Sequence, residues 1–268
     1  MKSLRSAIGF LTILPVAPRG ATEGMASARA WFPVVGLILG GILAAADLLL
    51  SSAYSIVAQR DDPVSPLLLA VILTVGLIVL TRALHLDGFM DCCDALFGGF
   101  DRERRLQILR DPHVGAFAVV GVVCLLLLKV TAMSSLPQAG RLWILLLFPC
   151  LSRWAVTLVM ELFLYVRSGG IGSPFLGDVR RWQIFFAFFV TLIAAFGLAG
   201  AVGLAAFSVA SAIAWMIGAW ASRLLGGVTG DVYGAIVEIT ETVALLVSVF
   251  LMHVSMLSDK PPLFRLLA

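Results

Sequence analysis

Asp87, Asp91 and Asp94 recur at i, i+4 and i+7 in the stretch HLDGFMDCCDALFGG, a spacing that sets three carboxylates on one helical face. Three like charges there repel one another unless a cation lies between them. Ligation by oxygen alone suits magnesium, manganese or calcium rather than zinc. Asp101, Glu103 and Asp111 follow on the next segment. A second acidic face lies far downstream in RLLGGVTGDVYGAIVEITE, where Asp231, Gly234, Glu238 and Glu241 fall at offsets of 0, 3, 7 and 10. Gly226, Gly227, Thr229 and Gly230 precede that helix, and glycines before a helix start let backbone N–H groups approach an anion closely. A phosphate cradle beside cation-binding carboxylates suits phosphoryl transfer, in which metal ions neutralise charge and position the attacking and leaving oxygens. The two faces would then converge on one site or on a pair of metals, with Asp87, Asp91, Asp94, Asp111, Asp231, Glu238 and Glu241 as candidate ligands and Asp94 or Asp91 as candidate general base.

Basic residues complete this reading. Arg153 interrupts the apolar stretch LSRWAVTL and so must face a protein interior, where its planar guanidinium suits phosphate. Arg102, Arg105, Arg110 and Arg167 are further candidates to hold phosphate from adjoining segments. DRERR also reads as a solvated face whose acids pair with their own arginines, and Arg180 and Arg181 as topology signals. His85, two residues before Asp87, is the one histidine placed to join the chemistry; His113 and His253 read as structural. The vicinal Cys92 and Cys93 read as packing residues. With Cys124 and Cys150 they form no CxxC pattern and no disulfide framework.

These side chains need a scaffold, and the composition says which kind. The 268 residues are 60% hydrophobic and 13% charged, with a mean hydropathy of +1.03. That balance predicts an all-α polytopic integral membrane protein, one catalytic domain over residues 1–268. Apolar runs punctuated by Pro, Gly and charge place seven transmembrane helices near 33–57, 65–84, 114–133, 142–165, 183–199, 204–222 and 242–257. Residues 183–222 form one nearly uncharged run, divided only by Gly197, Gly200 and Gly203. The N-terminal MKSLRSAIGFLTILPVAP reads as a retained interfacial or re-entrant helix. Trp31, Trp143, Trp154 and Trp182 read as interfacial anchors. With the N-terminus inside, thirteen of the nineteen basic residues fall on one side, including Arg82, Arg102, Arg110, Arg167 and Arg223. Arg60, Arg141, Lys260 and Arg265 fall on the other, while Lys129 and Arg153 lie within spans. The excess assigns the basic side, and the acidic site with it, to the cytoplasm. A net charge of +3 without a basic tail gives no reason to expect nucleic acid.

HLDGFMDCCDALFGG, DRERRLQILRDPHVGAF and GGVTGDVYGAIVEITE together resemble cobalamin synthase, the adenosylcobinamide-GDP ribazoletransferase family. FLTILPV, WFPVVG, SRW at 152–154 and YVRSGGIG extend the resemblance over most of the chain in the expected order. The chain departs from the family pattern at Cys92 and Cys93, where small residues are expected, and in RDPHVG, which bears on Pro112 and His113. The resemblance implies the last assembly step of the cobamide nucleotide loop: adenosylcobinamide-GDP and α-ribazole, or its 5'-phosphate, are joined with release of GMP. It also implies Mg2+, with Mn2+ as substitute, a bacterial inner (cytoplasmic) membrane, and room for a homo-oligomer or association with other cobalamin-assembly enzymes. A CDP-alcohol phosphotransferase of lipid synthesis shares the acidic logic, but this chain lacks the AR pair after Asp-Gly. A cation-coupled transporter would place its acids nearer midspan.

Overall fold

The computed structural model describes residues 2–16, 25–58, 64–166, 175 and 181–257. They form α1 (Lys2–Leu11), α2 (Met25–Ala28), a 3-10 turn (Arg29–Trp31), α3 (Phe32–Ala58), α4 (Pro66–Leu80), α5 (Leu84–Gly98), α6 (Arg102–Ile108), α7 (Ala116–Ser134), α8 (Gln138–Leu162), α9 (Trp182–Leu225) and α10 (Gly230–Leu257). Among the described residues the one strand-like contact is an isolated parallel bridge between Tyr165 and Val228.

Five helices are long and apolar enough to cross a membrane, or six if α4 and α5, bent by 91° at their junction, count as one broken span. The sequence pattern led to seven, and the difference lies in α9. A straight helix of its 44 residues would run about 66 Å, roughly twice a hydrocarbon core. Gly200 instead takes φ 53° and ψ −131°, a region open in practice only to glycine. The chain turns back there, since the rings of Phe188 and Phe207 meet with centroids 5.8 Å apart.

In α9 small side chains face inward and large ones outward. Along α9, Ala187, Ala195, Ala199, Ala206, Ala210, Ala214 and Ala221 are buried, whereas Phe185, Phe189, Ile193, Phe196 and Trp215 are exposed. In a bilayer this is the expected sense, because helices associate there through close van der Waals contact rather than escape from water. The same logic joins α3 to α8. A methyl group on Gly36 would fall 2.3 Å from the Pro149 carbonyl oxygen, and one on Gly40 2.2 Å from that of Leu146.

Helix α8 is the centre of the bundle, buried at most positions from Ile144 to Met160. Two expectations change here. Arg141, read as a loop residue on the less basic side, is buried, with Nε donating to Asp47 Oδ1 at 2.9 Å and Nη1 to the Met133 carbonyl at 2.8 Å. Trp154, read as an interfacial anchor, is buried against Phe188 and Phe207, and its Nε1 donates to Ser211 Oγ at 2.9 Å. Both were misplaced for one reason: hydropathy marks a span but not which of its faces meets protein.

Candidate active site

The site begins at the corner between α4 and α5. Arg82 and Ala83 both adopt φ 54°, the left-handed region that non-glycine residues rarely enter. Two such residues in succession persist only where the surroundings hold them. Here α1 does so: the Arg82 guanidinium donates to the carbonyls of Gly9 and Phe10 at 3.1 and 3.3 Å, and Ile13 N donates to Leu80 O at 2.7 Å. The corner aims the first turn of α5, which carries His85 and Asp87, at the first turn of α10.

Glycines let those two helices touch. A methyl group on Gly88 would lie 2.9 Å from the Asp231 carbonyl oxygen, and one on Gly234 2.7 Å from that of His85. The start of α10 is fixed by its preceding loop. Thr229 Oγ1 accepts from Val232 N at 3.4 Å and donates to Asp231 Oδ2 at 3.2 Å. Val228 N donates to Leu164 O at 2.8 Å and Val166 N to Val228 O at 3.0 Å, which pins the loop to the end of α8. Gly227 is needed for that approach, since a methyl there would sit 2.4 Å from Leu164 O.

Between these elements lies a cavity of about 740 Å³, counting its open mouth. Its polar lining is made by His85, Asp87, Arg153, Gly230 and Asp231, and Phe10, Phe32, Val156, Met160, Tyr165 and Tyr233 supply apolar and aromatic surface. Buried His85 Nε2, Arg153 Nε and Nη2, and the Tyr233 hydroxyl find no hydrogen-bond partner among the described residues. Buried polar atoms are nearly always paired, so unpaired ones on residues that line a cavity call for a polar ligand.

The other residues singled out from the sequence stand elsewhere. Asp94 does not line the cavity: Oδ2 accepts from Gly115 N at 2.6 Å and Oδ1 from Ala118 N at 2.9 Å, so its carboxylate caps α7. Asp91 lies one turn beyond Asp87 on the same helix and is not among the lining residues. Glu238 and Glu241 are buried behind the cavity in ion pairs with Lys129 and Arg153, so basic side chains rather than an open space face them. Asp111 is exposed, and the contact of its carboxylate with His113 Nδ1 at 2.5 Å holds its pKa below the ordinary value. Arg102 closes the end of α9, its Nε donating to Leu225 O at 2.8 Å, beside Gly226 with its φ of 82°. Arg105 packs its side chain where a Gly99 methyl would go, Arg110 is exposed, and Arg167 lies outside the described residues. Sequence reasoning missed Tyr165, Tyr233 and the partnership of Lys129. A lysine in the apolar run LLLLKV was the available signal for the last.

Among the described residues no group of three or more His, Cys, Asp or Glu side chains is gathered to hold a metal ion. Mg2+ does not require one: it keeps waters and takes only one or two protein carboxylates beside substrate phosphates. Asp87 and Asp231, both in the cavity wall, meet that need with oxygen donors of the right kind.

These features define a class: an all-helical, multi-pass membrane protein with a polar cavity between helices, furnished as enzyme sites are. The chain belongs to the cobalamin-5-phosphate synthase family, whose signature matches residues 3–249. Relatives named adenosylcobinamide-GDP ribazoletransferase align over nearly the whole chain. The one from Syntrophobacter fumaroxidans is 39% identical over 246 residues, covering 90% of this chain and 95% of its own. That from Ectopseudomonas mendocina is 40% identical over 246 residues, with 90% and 96% covered, and that from Geotalea daltonii 36% over 242 residues, with 90% and 94%. No solved structure matches.

Proposed function

We propose that this chain is a transferase that completes the cobalamin nucleotide loop, joining adenosylcobinamide-GDP to α-ribazole, or to its 5'-phosphate, with release of GMP. One observation carries the reading at the level of residues. In a family member, Asp87, Asp231 and an arginine whose Nε and Nη2 have no partner among the described residues line one cavity.

The chemistry follows from those groups. Release of GMP means that a ribose hydroxyl of α-ribazole bonds to the cobinamide-side phosphorus while the bond from that phosphorus to the GMP oxygen breaks. The hydroxyl proton passes to a cavity carboxylate. Arg153 and the backbone N–H groups at the start of α10 hold the diphosphate and meet the charge that gathers on the leaving oxygen. Mg2+, or Mn2+, held by Asp87 and Asp231 with Asp91 in support, would neutralise the diphosphate. Phe10, Phe32 and the two tyrosines, which also line the cavity, exclude water from it.

The reading extends to topology. Counting α9 as two spans and α4 with α5 as one gives seven passes through a bacterial inner membrane, within one catalytic domain over residues 1–268. A cytoplasmic N-terminus puts the corner of α4 and α5, the end of α8 and the start of α10 on the cytoplasmic side, where a nucleotide-bearing substrate is met. The test is GMP release by the purified protein given adenosylcobinamide-GDP and α-ribazole. GMP with Mg2+ and none with excess EDTA is expected; no GMP under any divalent cation refutes the reading.

A further inference from the structure

The buried charges behind the cavity carry a role of their own. Lys129, on α7, donates to Glu238 Oε2 at 2.5 Å and to Glu241 Oε2 at 2.8 Å, both on α10. The other oxygen of Glu241 receives Nη1 of Arg153, which also donates to Ser152 Oγ at 2.8 Å. Three helices thus meet in a cluster of two cations and two carboxylates whose members are at most 6% exposed. Arg153 alone among the four lines the cavity. It is also the one left incomplete, since its Nε and Nη2 have no partner among the described residues although the residue is only 1% exposed. Arg141, the other fully buried arginine, also keeps an Nη2 without a hydrogen-bond partner among the described residues, but it does not line this cavity; on Arg153 the unpaired atoms belong to a residue in the cavity wall.

We infer that Glu241, held in turn by Lys129 and Glu238, is a positioning residue that fixes Arg153 by one nitrogen so that its remaining edge is presented to a phosphate of the nucleotide-bearing substrate. The inference rests on the proposed transferase reading and assigns the cluster to one of its two substrates. An arginine side chain has several rotatable bonds, and an unrestrained one would lose much freedom on gripping an anion. Anchoring Nη1 removes that freedom beforehand, and leaves open the two N–H directions that a phosphate oxygen pair accepts. Lys129 serves the same end from behind. It occupies the second oxygen of Glu241, and Glu238 balances the charge that Lys129 brings, so the carboxylate facing Arg153 can neither rotate away nor lie unpaired.

The test uses the full-length protein in detergent or nanodiscs, with GMP release as the assay and both substrates varied. In Glu241→Gln, the KM for adenosylcobinamide-GDP and the inhibition constant of added GMP should each rise at least tenfold, while the KM for α-ribazole stays within twofold. Glu241→Asp should recover part of the loss. Should the Gln variant fail to fold, Arg153→Lys keeps a cation beside Glu241 but removes the open edge, and the same selective rise is expected. A lowered melting temperature with unchanged KM values, or an equal rise for both substrates, overturns the positioning role. Absence of GMP from the unaltered protein refutes the transferase reading instead, so the two failures are distinguishable.

Discussion

Asp94 and Asp87 belong to one acidic helix, and the structure separates what each should do when its charge is removed. In Asp94→Asn one oxygen can still accept from either Gly115 N or Ala118 N, but the amide NH2 then faces the other N–H. A hydrogen bond to a charged group contributes about 1.5–3 kcal/mol, and the negative charge at the α7 N-terminus roughly a further 0.3–1 kcal/mol. The loss should therefore be about 2–4 kcal/mol, because the remaining group is mismatched as well as neutral. Gly115 admits no easy relaxation, since its Cα position already packs against the carboxylate, where a methyl group would fall 2.6 Å from Asp94 Oδ1. Thermal unfolding in detergent should show a clear drop in midpoint, with turnover per folded molecule within about threefold of the parent. In Asp87→Asn the pattern should reverse: an unchanged midpoint and GMP release reduced by at least a hundredfold. An Asp94→Asn protein that melts like the parent yet has lost turnover would refute this division and return Asp94 to the chemistry.

Other perturbations test the scaffold. Gly234→Ala should cost about 1–3 kcal/mol through overpacking, because its methyl meets the His85 carbonyl and Gly88 Cα, at 2.7 and 3.1 Å, rather than movable side chains; thermal unfolding and GMP release should fall together. Gly200→Ala meets nothing within 4 Å, so its cost is that of the φ of +53° alone, about 1–3 kcal/mol; the midpoint should drop while both KM values hold. Asp47→Asn leaves Arg141 buried without its counter-charge, a loss of about 3–5 kcal/mol, seen as poor recovery of folded protein by size exclusion.

How much of this was legible depends on the range of the interaction concerned. The helical spacing of Asp87 and Asp91, and the glycines before Asp231, are local facts, and their placement on two helix starts could be read directly. The pairing of Asp94 with Gly115 and Ala118 joins residues more than twenty apart, and no periodicity reveals that the third acid of a row turns to a neighbouring helix. Glu238 shares the face of Asp231 by spacing, yet Lys129, 109 residues earlier, decides its surroundings. Residues 183–222 were divisible by their glycines, and Gly200 is where the chain turns. The corner at Arg82 and Ala83 carries no such sign, because neither is the glycine that a left-handed conformation leads one to expect.

That corner explains why the acids cluster where they do. Two of the chain's helix junctions, between α4 and α5 and between α9 and α10, border one cavity. Each therefore delivers a helix N-terminus, with its partial positive charge and unpaired N–H groups, to the same space. Asp87 and Asp231 stand in the first turns of those helices. The partial positive charge of those two helix starts favours the phosphates of a substrate. Farther along the same two helices Asp94 caps α7 and Glu241 pairs with Lys129 and Arg153, whereas Asp87 and Asp231 line the cavity.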